Sequence, residues 1–378
     1  MKMKKILVLP ILVIMLVMLP LFTNVNAIEQ LTDKVVTSGE GLYADPTVPG
    51  RYVFRGANPD NYIMFNGELW RIMAIEPDGK VKIARIMRDD FIEAIFEHGG
   101  TGDTFDEGSN NPRTLPGPNG ESTFCQGSGG CNLWAGKGTM LQADGTTPVE
   151  FIYREGLGNF YIPEGDATLN TYLNGPYYNT LNEDKTCMVD NLYNVGFLSA
   201  ETTSLQEAVN SEKTYTWHGK IGLPTVTDYI KASLDNSCQG GQILDWQCYA
   251  TNYMNTGFVY WALTPDAHSV LTPGGQYEWV VGNGMSPSMF TYFGSGAVPV
   301  VHLSSLTSLT GSGTDMDPYV IEACPGKAPV TPEPEDKSEE VNVPSTDEFI
   351  PLIISLSALV LIIIGSIGYY FINKRKRA

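Results

Sequence analysis

Six cysteines are the residues of this chain whose chemistry is best defined by type and spacing. An even number of cysteines in an exported, glycine-rich chain is typical of disulfide bonds, although six of them allow fifteen connectivities. The spacing favours two short closed loops, and the third pair follows by elimination: Cys125–Cys131, Cys238–Cys248 and Cys187–Cys324. Zinc is the alternative, but no pair is spaced as CxxC and no histidine lies close to a cysteine.

Carboxylates are abundant, with 42 Asp and Glu residues. Two of them could hydrolyse a glycosidic bond, and four lie near aromatic residues: Glu150, Glu155, Glu164 and Asp166. With so many acids such neighbours arise by chance, so we interpret them as solvated surface. Calcium prefers clustered oxygens, which 103–107 and 315–317 offer without the spacing of an EF-hand. We predict no cofactor and no metal, with calcium as the open alternative.

Nucleophilic catalysis has little support in the sequence. A catalytic cysteine needs an activating histidine and a reduced thiol, and all four histidines are isolated. No Gly-x-Ser-x-Gly elbow is present. His302 lies in an alternating stretch, which predicts a residue on the face of a sheet. We therefore predict no catalytic residue.

Aromatic residues give the strongest indication of a ligand. Trp and Tyr on loops carried by a rigid sheet suit sugar stacking or contacts with a protein. The candidate ligand-binding residues are Trp134, Tyr277, Trp279 and Tyr292. Trp261 lies in an apolar stretch and is predicted to belong to the core.

The charge distribution excludes several partners. Residues 1–27 and 350–378 hold seven basic and no acidic residues, which leaves 17 basic against 42 acidic residues between them, a net charge of −25. A region with this negative charge repels phosphate, and we therefore expect no nucleic-acid partner. An anionic membrane surface is an equally poor partner.

The two termini predict a single-pass protein of the cell surface. Residues 1–27 have the basic, apolar and small-residue regions of a signal peptide, with cleavage before Ile28; an uncleaved anchor is the alternative. Residues 349–372 are uncharged and long enough for a transmembrane helix. The basic residues of 373–378 then form a cytoplasmic tail and place the amino-terminal bulk outside.

Between these termini we predict an extracellular domain over 28–324, with a Gly-rich insertion at 98–165. The stretch 325–348 is rich in Pro, Glu and Asp and has few large apolar residues, so it cannot bury enough surface to fold. We interpret it as an acidic stalk, kept extended by its like charges.

A five-residue stretch in this stalk resembles a sortase sorting signal, whose motif is Leu-Pro-x-Thr-Gly. Pro344 and Thr346 match, Ser345 holds the variable place, and Val343 and Asp347 depart. A sortase is therefore a candidate partner, and the apolar segment would then only retain the chain until cleavage. Asp347 puts a charged side chain where the enzyme needs room, which favours the permanent membrane anchor.

The hydrophobic pattern predicts strands, then helices, then strands. Four strands form a meander at 51–56, 62–65, 69–75 and 80–86, with an Asn66-Gly67 hairpin turn and, from the alternation in the last, one wet face. Two helices follow, one capped by Asp166 and stopped at Gly175-Pro176, the other opened by a Thr225/Asp228 capping box. Later strands are expected at 257–263, 277–281, 290–293, 298–303 and 319–323. The fold class is α+β, with antiparallel sheets, two short helices and one carboxyl-terminal transmembrane helix.

Several short motifs carry a resemblance over residues 50 to 321: 70–72 (Trp-Arg-Ile), 169–174, 196–201, 223–225 (Leu-Pro-Thr) and 297–303. Together they resemble an uncharacterised family of surface modules in Gram-positive, Firmicute-type bacteria. The stretch 222–232 is similar to the Leu-Pro-Thr helix of formylglycine-generating-enzyme-like domains, which implies a C-type-lectin-like fold.

Two departures limit what this resemblance implies. The enzyme's pair of cysteines has no counterpart at 281–303, so the similarity concerns fold rather than chemistry. The family's closing strand has an Arg before its Pro, where this chain has Val298. The expected function is a surface-anchored, non-enzymatic binding module, adhesin-like, with an extracellular carbohydrate or protein ligand. The alternative is a secreted hydrolase acting on glycans or the cell wall.

Overall fold

The computed structural model describes residues 27–86, 92–95, 133–154, 158–162, 165–235, 238, 251–267, 277–283, 285–290 and 294–327. The chain divides into two units, Met1–Val330 and Thr331–Ala378, of which the second lies wholly outside these residues. Residues 1–26 of the expected signal peptide 1–27 also lie outside them, as do the stalk beyond Lys327, the sorting signal, the transmembrane helix and the basic tail. None of the described helices is long and apolar enough to cross a membrane.

The strands within the described ranges are β1 Gly41–Ala44, β2 Tyr52–Arg55, β3 Tyr62–Phe65, β4 Glu68–Ile75, β5 Val81–Ala84, β6 Ile92–Ile95, β7 Met140–Gln142, β8 Phe151–Arg154, β9 Gly158–Tyr161, β10 Asn191–Asn194, β11 Tyr215–Gly219, β12 Ile221–Gly222, β13 Tyr260–Pro265, β14 Tyr277–Val281, β15 Met285–Phe290, β16 Gly294–Ala297, β17 Val300–Leu303, β18 Ser308–Thr310 and β19 Tyr319–Ala323. The helices are α1 Ala27–Thr32, α2 Thr168–Tyr172, α3 Tyr178–Thr180, α4 Leu205–Glu212 and α5 Val226–Lys231.

The largest sheet has nine strands and carries the residues of the candidate site. Its main path runs β12-β17-β5-β4-β3-β19-β18, β2 also pairs with β4, and β1 pairs with β2. The pairs are antiparallel except β19 with β3. A second sheet runs β15-β14-β13-β16-β6. Most of the pairing is antiparallel and the helices are short, which confirms the α+β class.

The four predicted strands are confirmed as β2 to β5, but only β3, β4 and β5 pair in succession as a meander, because β2 pairs with β4 instead of with β3. Asn66 and Gly67 both have positive φ, +58° and +76°, as a type I′ turn requires. The wet face predicted for the last strand is wrong, because all four residues of β5 are buried. Lys82 is one of them, and its charge is matched by a carboxylate of α5. Alternation of polar and apolar residues signals exposure only where no oppositely charged element covers the polar face.

The helix predictions are partly wrong. Asp166 does not cap α2, because its carboxylate instead accepts hydrogen bonds from the Gly136 amide and the Thr139 hydroxyl. The chain also continues past Gly175 and Pro176 through a π-helical turn, Leu173–Tyr177, into α3. The sequence pattern does not predict α4, although its first turn is capped by the Ser204 hydroxyl. The expected two helices therefore undercount the five of the described segments.

A disulfide joins Cys187 to Cys324, with 5.3 Å between the Cα atoms, and this confirms the pairing predicted by elimination. It closes a loop of 137 residues. In the chain-entropy model a loop of that size gives about 4 to 5 kcal/mol. Beside it, Lys327 Nζ lies 2.6 Å from an Asp184 carboxylate oxygen. The exit of the domain is thus attached to its middle by a covalent and an ionic contact.

Candidate functional site

A cleft of about 270 Å³ lies where one face of the main sheet meets α5 and β10. Four cationic side chains and two carboxylates line it: Arg51, Lys82, Lys213, Lys231, Glu76 and Asp228. Polar and aliphatic groups complete the wall: Thr225, Thr227, Asn191, Asn194, His302, Tyr193, Val48, Pro77, Leu192 and Val209. The concentration of charge in one concave surface makes it the candidate site.

Asp228 is positioned by the local sequence of its helix. The Thr225 hydroxyl accepts from the Asp228 amide, and the Thr225 amide donates to Asp228 Oδ2 at 3.0 Å, so the predicted capping box is confirmed. The same carboxylate receives Lys82 Nζ at 2.6 Å and Arg51 at 3.2 Å. Burial alone would raise the pKa of Asp228, but the charges of Lys82 and Arg51 outweigh it and hold the pKa well below its ordinary value.

Arg51 lies just before β2 and contacts three carboxylates. Its Nε is 3.0 Å from Glu76 Oε2, and its two terminal nitrogens lie 3.0 Å from Asp45 Oδ2 and 3.2 Å from Asp228 Oδ1. Burial opposes ionisation of Glu76 and Asp45, yet Arg51 lowers the pKa of both, together with Lys231 at Asp45. We call these residues the charge cluster: Asp45, Arg51, Glu76, Lys82, Asp228 and Lys231.

Lys231 joins the charge cluster from the last turn of α5. Its Nζ lies 2.7 Å from Asp45 Oδ2, and the side chain is almost completely buried. Burial and the neighbouring charge of Arg51 lower the pKa of Lys231 to about 8, despite the pairing with Asp45. Lys231 is one helical turn from Asp228, so α5 presents one acid and one base to the same side of the cleft.

His302 lies opposite Lys82 in the pairing of β17 with β5. Its Nε2 is 3.9 Å from Glu76 Oε1, and its Nδ1 is 3.3 Å from the Tyr193 hydroxyl. Burial lowers the pKa of His302 although Glu76 acts to raise it, so the ring is neutral at pH 7. The predicted sheet-face position is confirmed, and the face is the one that carries the cleft.

Glu212 lies behind the cleft at the end of α4. Its Oε1 accepts from the Thr227 amide at 3.1 Å and from the Thr264 hydroxyl at 2.8 Å, and its Oε2 accepts from the Thr227 hydroxyl. Burial raises the pKa of Glu212 in spite of these hydrogen bonds. It does not line the cleft, and its role is to connect α4 to the first turn of α5.

Of the aromatic residues predicted to bind a ligand, Trp134 and Trp279 do not line the cleft. Trp279 and Trp134 are each 1% exposed, and the Trp279 ring nitrogen donates to the Leu198 carbonyl at 3.0 Å. Their rings therefore pack in the core and present no surface for stacking, as Trp261 does too. Tyr277 begins β14, and Tyr292 lies outside the described residues.

Of the other predicted site residues, some lie within the described part of the chain and some lie outside it. Cys238 is disulfide-bonded, whereas Cys125, Cys131 and Cys248 lie outside the described part of the chain. No group of His, Cys, Asp and Glu suited to a metal ion occurs among the described residues. Of the two calcium candidates, 103–107 lies outside them. In the other, Asp317 accepts hydrogen bonds from its own loop, including the Ser312 amide at 2.9 Å.

The sequence predicted Thr225 and Asp228 only as a helix cap and His302 only as a sheet-face residue. It did not predict the cleft or the cationic half of the cluster. Lys82 carried an ambiguous signal, because its place in an alternating stretch is also typical of an exposed face, and Lys231 lies on the same helix face as Asp228. Arg51 and Glu76 carried none, since they lie at strand ends where charged residues are common. Their proximity depends on the pairing of β2 with β4.

Val298 is fully buried, and Asp228 receives its cations from Arg51 and Lys82. The charge of Asp228 is therefore balanced by Lys82 of β5 and by Arg51 just before β2, with no cation at position 298. In comparisons with models of known families, with curated proteins and with solved structures, nothing matches this chain.

Proposed function

We propose that the domain is a surface-anchored, non-enzymatic binding module, adhesin-like, whose ligand site is the charged cleft and whose ligand is an extracellular glycan. One observation carries this proposal. Apart from Lys213 at the rim, the charges of the cleft are held in place by buried partners, and they border an open space of about 270 Å³. Groups that are rigidly placed before a ligand arrives lose little entropy on binding, which favours recognition.

The protonation states favour binding over hydrolysis. Hydrolysis of a glycoside by two carboxyl groups needs one of them protonated, to act as the general acid. Both carboxylates that line the cleft have a pKa below the ordinary value, Asp228 because of Lys82 and Arg51 and Glu76 because of Arg51. Glu212 has a raised pKa, but Thr227 and Thr264 occupy its oxygens. The alternative of a glycan- or wall-acting hydrolase lacks its acid here.

The finer fold and the location are parts of the same proposal. A C-type-lectin-like arrangement is supported by the mainly antiparallel sheets and by the capped helix that follows Leu-Pro-Thr. Residues 349–372 would anchor the chain in the membrane, and the acidic stalk 325–348 would lift the domain away from the surface. The amino-terminal domain would then face the exterior, where disulfides such as Cys187–Cys324 persist.

A glycan array tests the binding function. The full-length chain, reconstituted in nanodiscs, is applied to glycans and to purified cell-wall fragments, and released reducing ends are measured in parallel. Binding without release supports a binding module. Release of sugar or cleavage of a reporter glycoside would establish the hydrolase instead, and binding to proteins alone would move the ligand to another class.

Fractionation of native cells tests the anchor. Intact protein in the membrane fraction, still carrying Lys374–Arg377, supports the permanent transmembrane helix. Protein covalently bound to the wall and ending at Thr346 would establish cleavage by a sortase. Mass spectrometry of the carboxyl-terminal peptide distinguishes the two results directly.

A further inference from the structure

We infer that the glycan unit bound in the cleft is an acidic sugar, and that its carboxylate lies against the lysines of the cleft. This inference rests on the proposed function and names the class of ligand for the same site. It draws on the balance of charge, on unused hydrogen-bond donors, and on the size and lining of the cleft.

The charge of the cleft is opposite to that of the chain. The whole chain has a net charge of −18, yet four cations and two carboxylates line the cleft. If Asp45, which pairs with Arg51 and Lys231 from behind, is counted as well, one positive charge remains. A locally positive cleft on an acidic molecule is the electrostatic arrangement that selects an anionic ligand.

Two buried ammonium groups retain hydrogen-bond donors. A lysine ammonium has three N–H groups, and Lys82 and Lys231 each direct one of them to a carboxylate, at 2.6 and 2.7 Å. Both lysines line the cleft. Lys213 adds an exposed cation at the rim that has no ion pair within the described residues. An oxygen anion in the cleft would accept from these donors, and such charge-assisted hydrogen bonds are the strong ones.

The remaining lining favours a sugar ring over a bare anion. At about 270 Å³ the cleft lies just below the range of drug-sized pockets, about 300 to 1,000 Å³, and suits a single ring. Asn191 and Asn194 can exchange hydrogen bonds with sugar hydroxyls. Val48 and Leu192 offer aliphatic contact to the C–H groups of a ring. A phosphate ion or an acidic side chain would leave these groups unused.

Calorimetry with matched sugars tests the inference on the full-length chain in nanodiscs. Glucuronate is compared with glucose, and galacturonate with galactose; inorganic phosphate and an Asp-Glu dipeptide complete the set. We expect each acidic sugar to bind at least about tenfold more tightly than its neutral partner, the value of one charge-assisted hydrogen bond. Equal binding of the neutral sugars would overturn the acidic class and leave the glycan-binding module intact.

The other results are equally decisive. Tighter binding of the dipeptide or of phosphate than of either acidic sugar would overturn the sugar as the source of the anion. If no glycan on the array bound to the chain, the proposed function itself would be contradicted.

Substitution of Lys213 at the rim of the cleft distinguishes a loss of ligand recognition from a loss of folding. Lys213→Gln changes an exposed side chain, so the fold is retained, and it should weaken binding of the acidic sugar about two- to fivefold without affecting the neutral one. Lys137→Gln removes another exposed lysine that does not line the cleft and should leave both affinities unchanged. Equal effects of the two exchanges would show that Lys213 does not recognise the ligand and would overturn the placement of the carboxylate.

Discussion

Two regions of this domain bury carboxyl groups, and they treat them in opposite ways. In the charge cluster, Asp228 is in contact with Lys82, Arg51 and the Thr225 amide. In the second sheet, Glu278 of β14 is fully buried, and neither of its carboxyl oxygens has a hydrogen-bond partner within the described residues. The pKa of Asp228 is well below its ordinary value, whereas burial and the nearby charge of Asp266 raise the pKa of Glu278 well above it.

The comparison shows that partners, and not burial, decide which buried acid is ionised. Transfer of a charge from water to the interior is costly unless a counter-charge and hydrogen bonds replace the water. The charge cluster supplies them, so its charges persist at physiological pH and can take part in recognition. Glu278 lacks them and is held as a neutral acid. Glu212 lies between the two, since its donors are hydroxyl and amide groups without charge.

The largest effect is expected from Asp228→Asn. The substitution leaves Lys82 and Arg51 without one of their counter-charges in a buried site and weakens the capping box of α5. We expect the free energy of unfolding to fall by about 3 to 5 kcal/mol, measured by urea denaturation. Asp190→Asn is the matched control, because it breaks an exposed ion pair with Lys220 and should cost less than about 1 kcal/mol. Equal losses would contradict the role given to the cluster.

The second prediction concerns the stability of the domain at low pH. Asp45, Glu76 and Asp228 have lowered pKa values, so the unfolded chain binds more protons than the folded one at low pH. Their stabilisation is complete above the unfolded values, near pH 4, and is lost as the pH falls through the folded values. When it is measured at intervals from pH 6 to pH 2, the urea midpoint should therefore lose this contribution only as the pH falls below about 4. In Asp228→Asn the decrease should be shallower, because one of the three carboxylates is gone; an unchanged slope would show that Asp228 does not contribute to it.

Much of the main sheet could be predicted from sequence because its signals are local. The Asn66-Gly67 turn, the hydrophobic runs of β3 and β4, and the Thr225/Asp228 capping box each depend on residues close in the chain. The prediction for Asp166 was wrong because its preferred partners, Gly136 and Thr139, lie about 30 residues away. A side chain that is suited to cap a helix can instead form hydrogen bonds with groups distant in the chain, and the local sequence does not reveal this.

The site could not be predicted as a whole, since it forms only when distant segments meet. Lys82 and Asp228 are 146 residues apart, and Lys231 and Asp45 are 186 apart. The sequence favoured Trp134 and Trp279 over the residues that line the cleft for a related reason. Trp134 and Trp279 carry large apolar surfaces, which favour burial, and the apolar part of the cleft is lined by smaller side chains such as Val48 and Pro77.

The third prediction uses Glu278→Gln. Because the pKa of Glu278 is raised, the wild-type chain must keep a proton that the unfolded chain releases above about pH 4.5, so stability declines as the pH rises towards the folded value. The amide cannot ionise, and at pH 7 the variant should be more stable by about 1 to 3 kcal/mol. Thermal unfolding from pH 5 to pH 8 should show a gap that widens with pH. Glu201→Gln, at an exposed position, should produce no such gap.

The smallest change is expected from Glu212→Gln, which tests the intermediate case. The amide oxygen can still accept from the Thr227 amide and the Thr264 hydroxyl, and its nitrogen can donate to the Thr227 hydroxyl, which reverses one hydrogen bond. Since the pKa of Glu212 is raised, little charge is lost, and we expect a change in unfolding free energy below about 1 kcal/mol at pH 5. Glu212→Ala leaves the same donors without an acceptor and should cost about 1 to 3 kcal/mol. If the Gln variant lost as much stability as Asp228→Asn, Glu212 would be an ionised member of the charge cluster, and neutral donors would suffice to keep a buried acid charged.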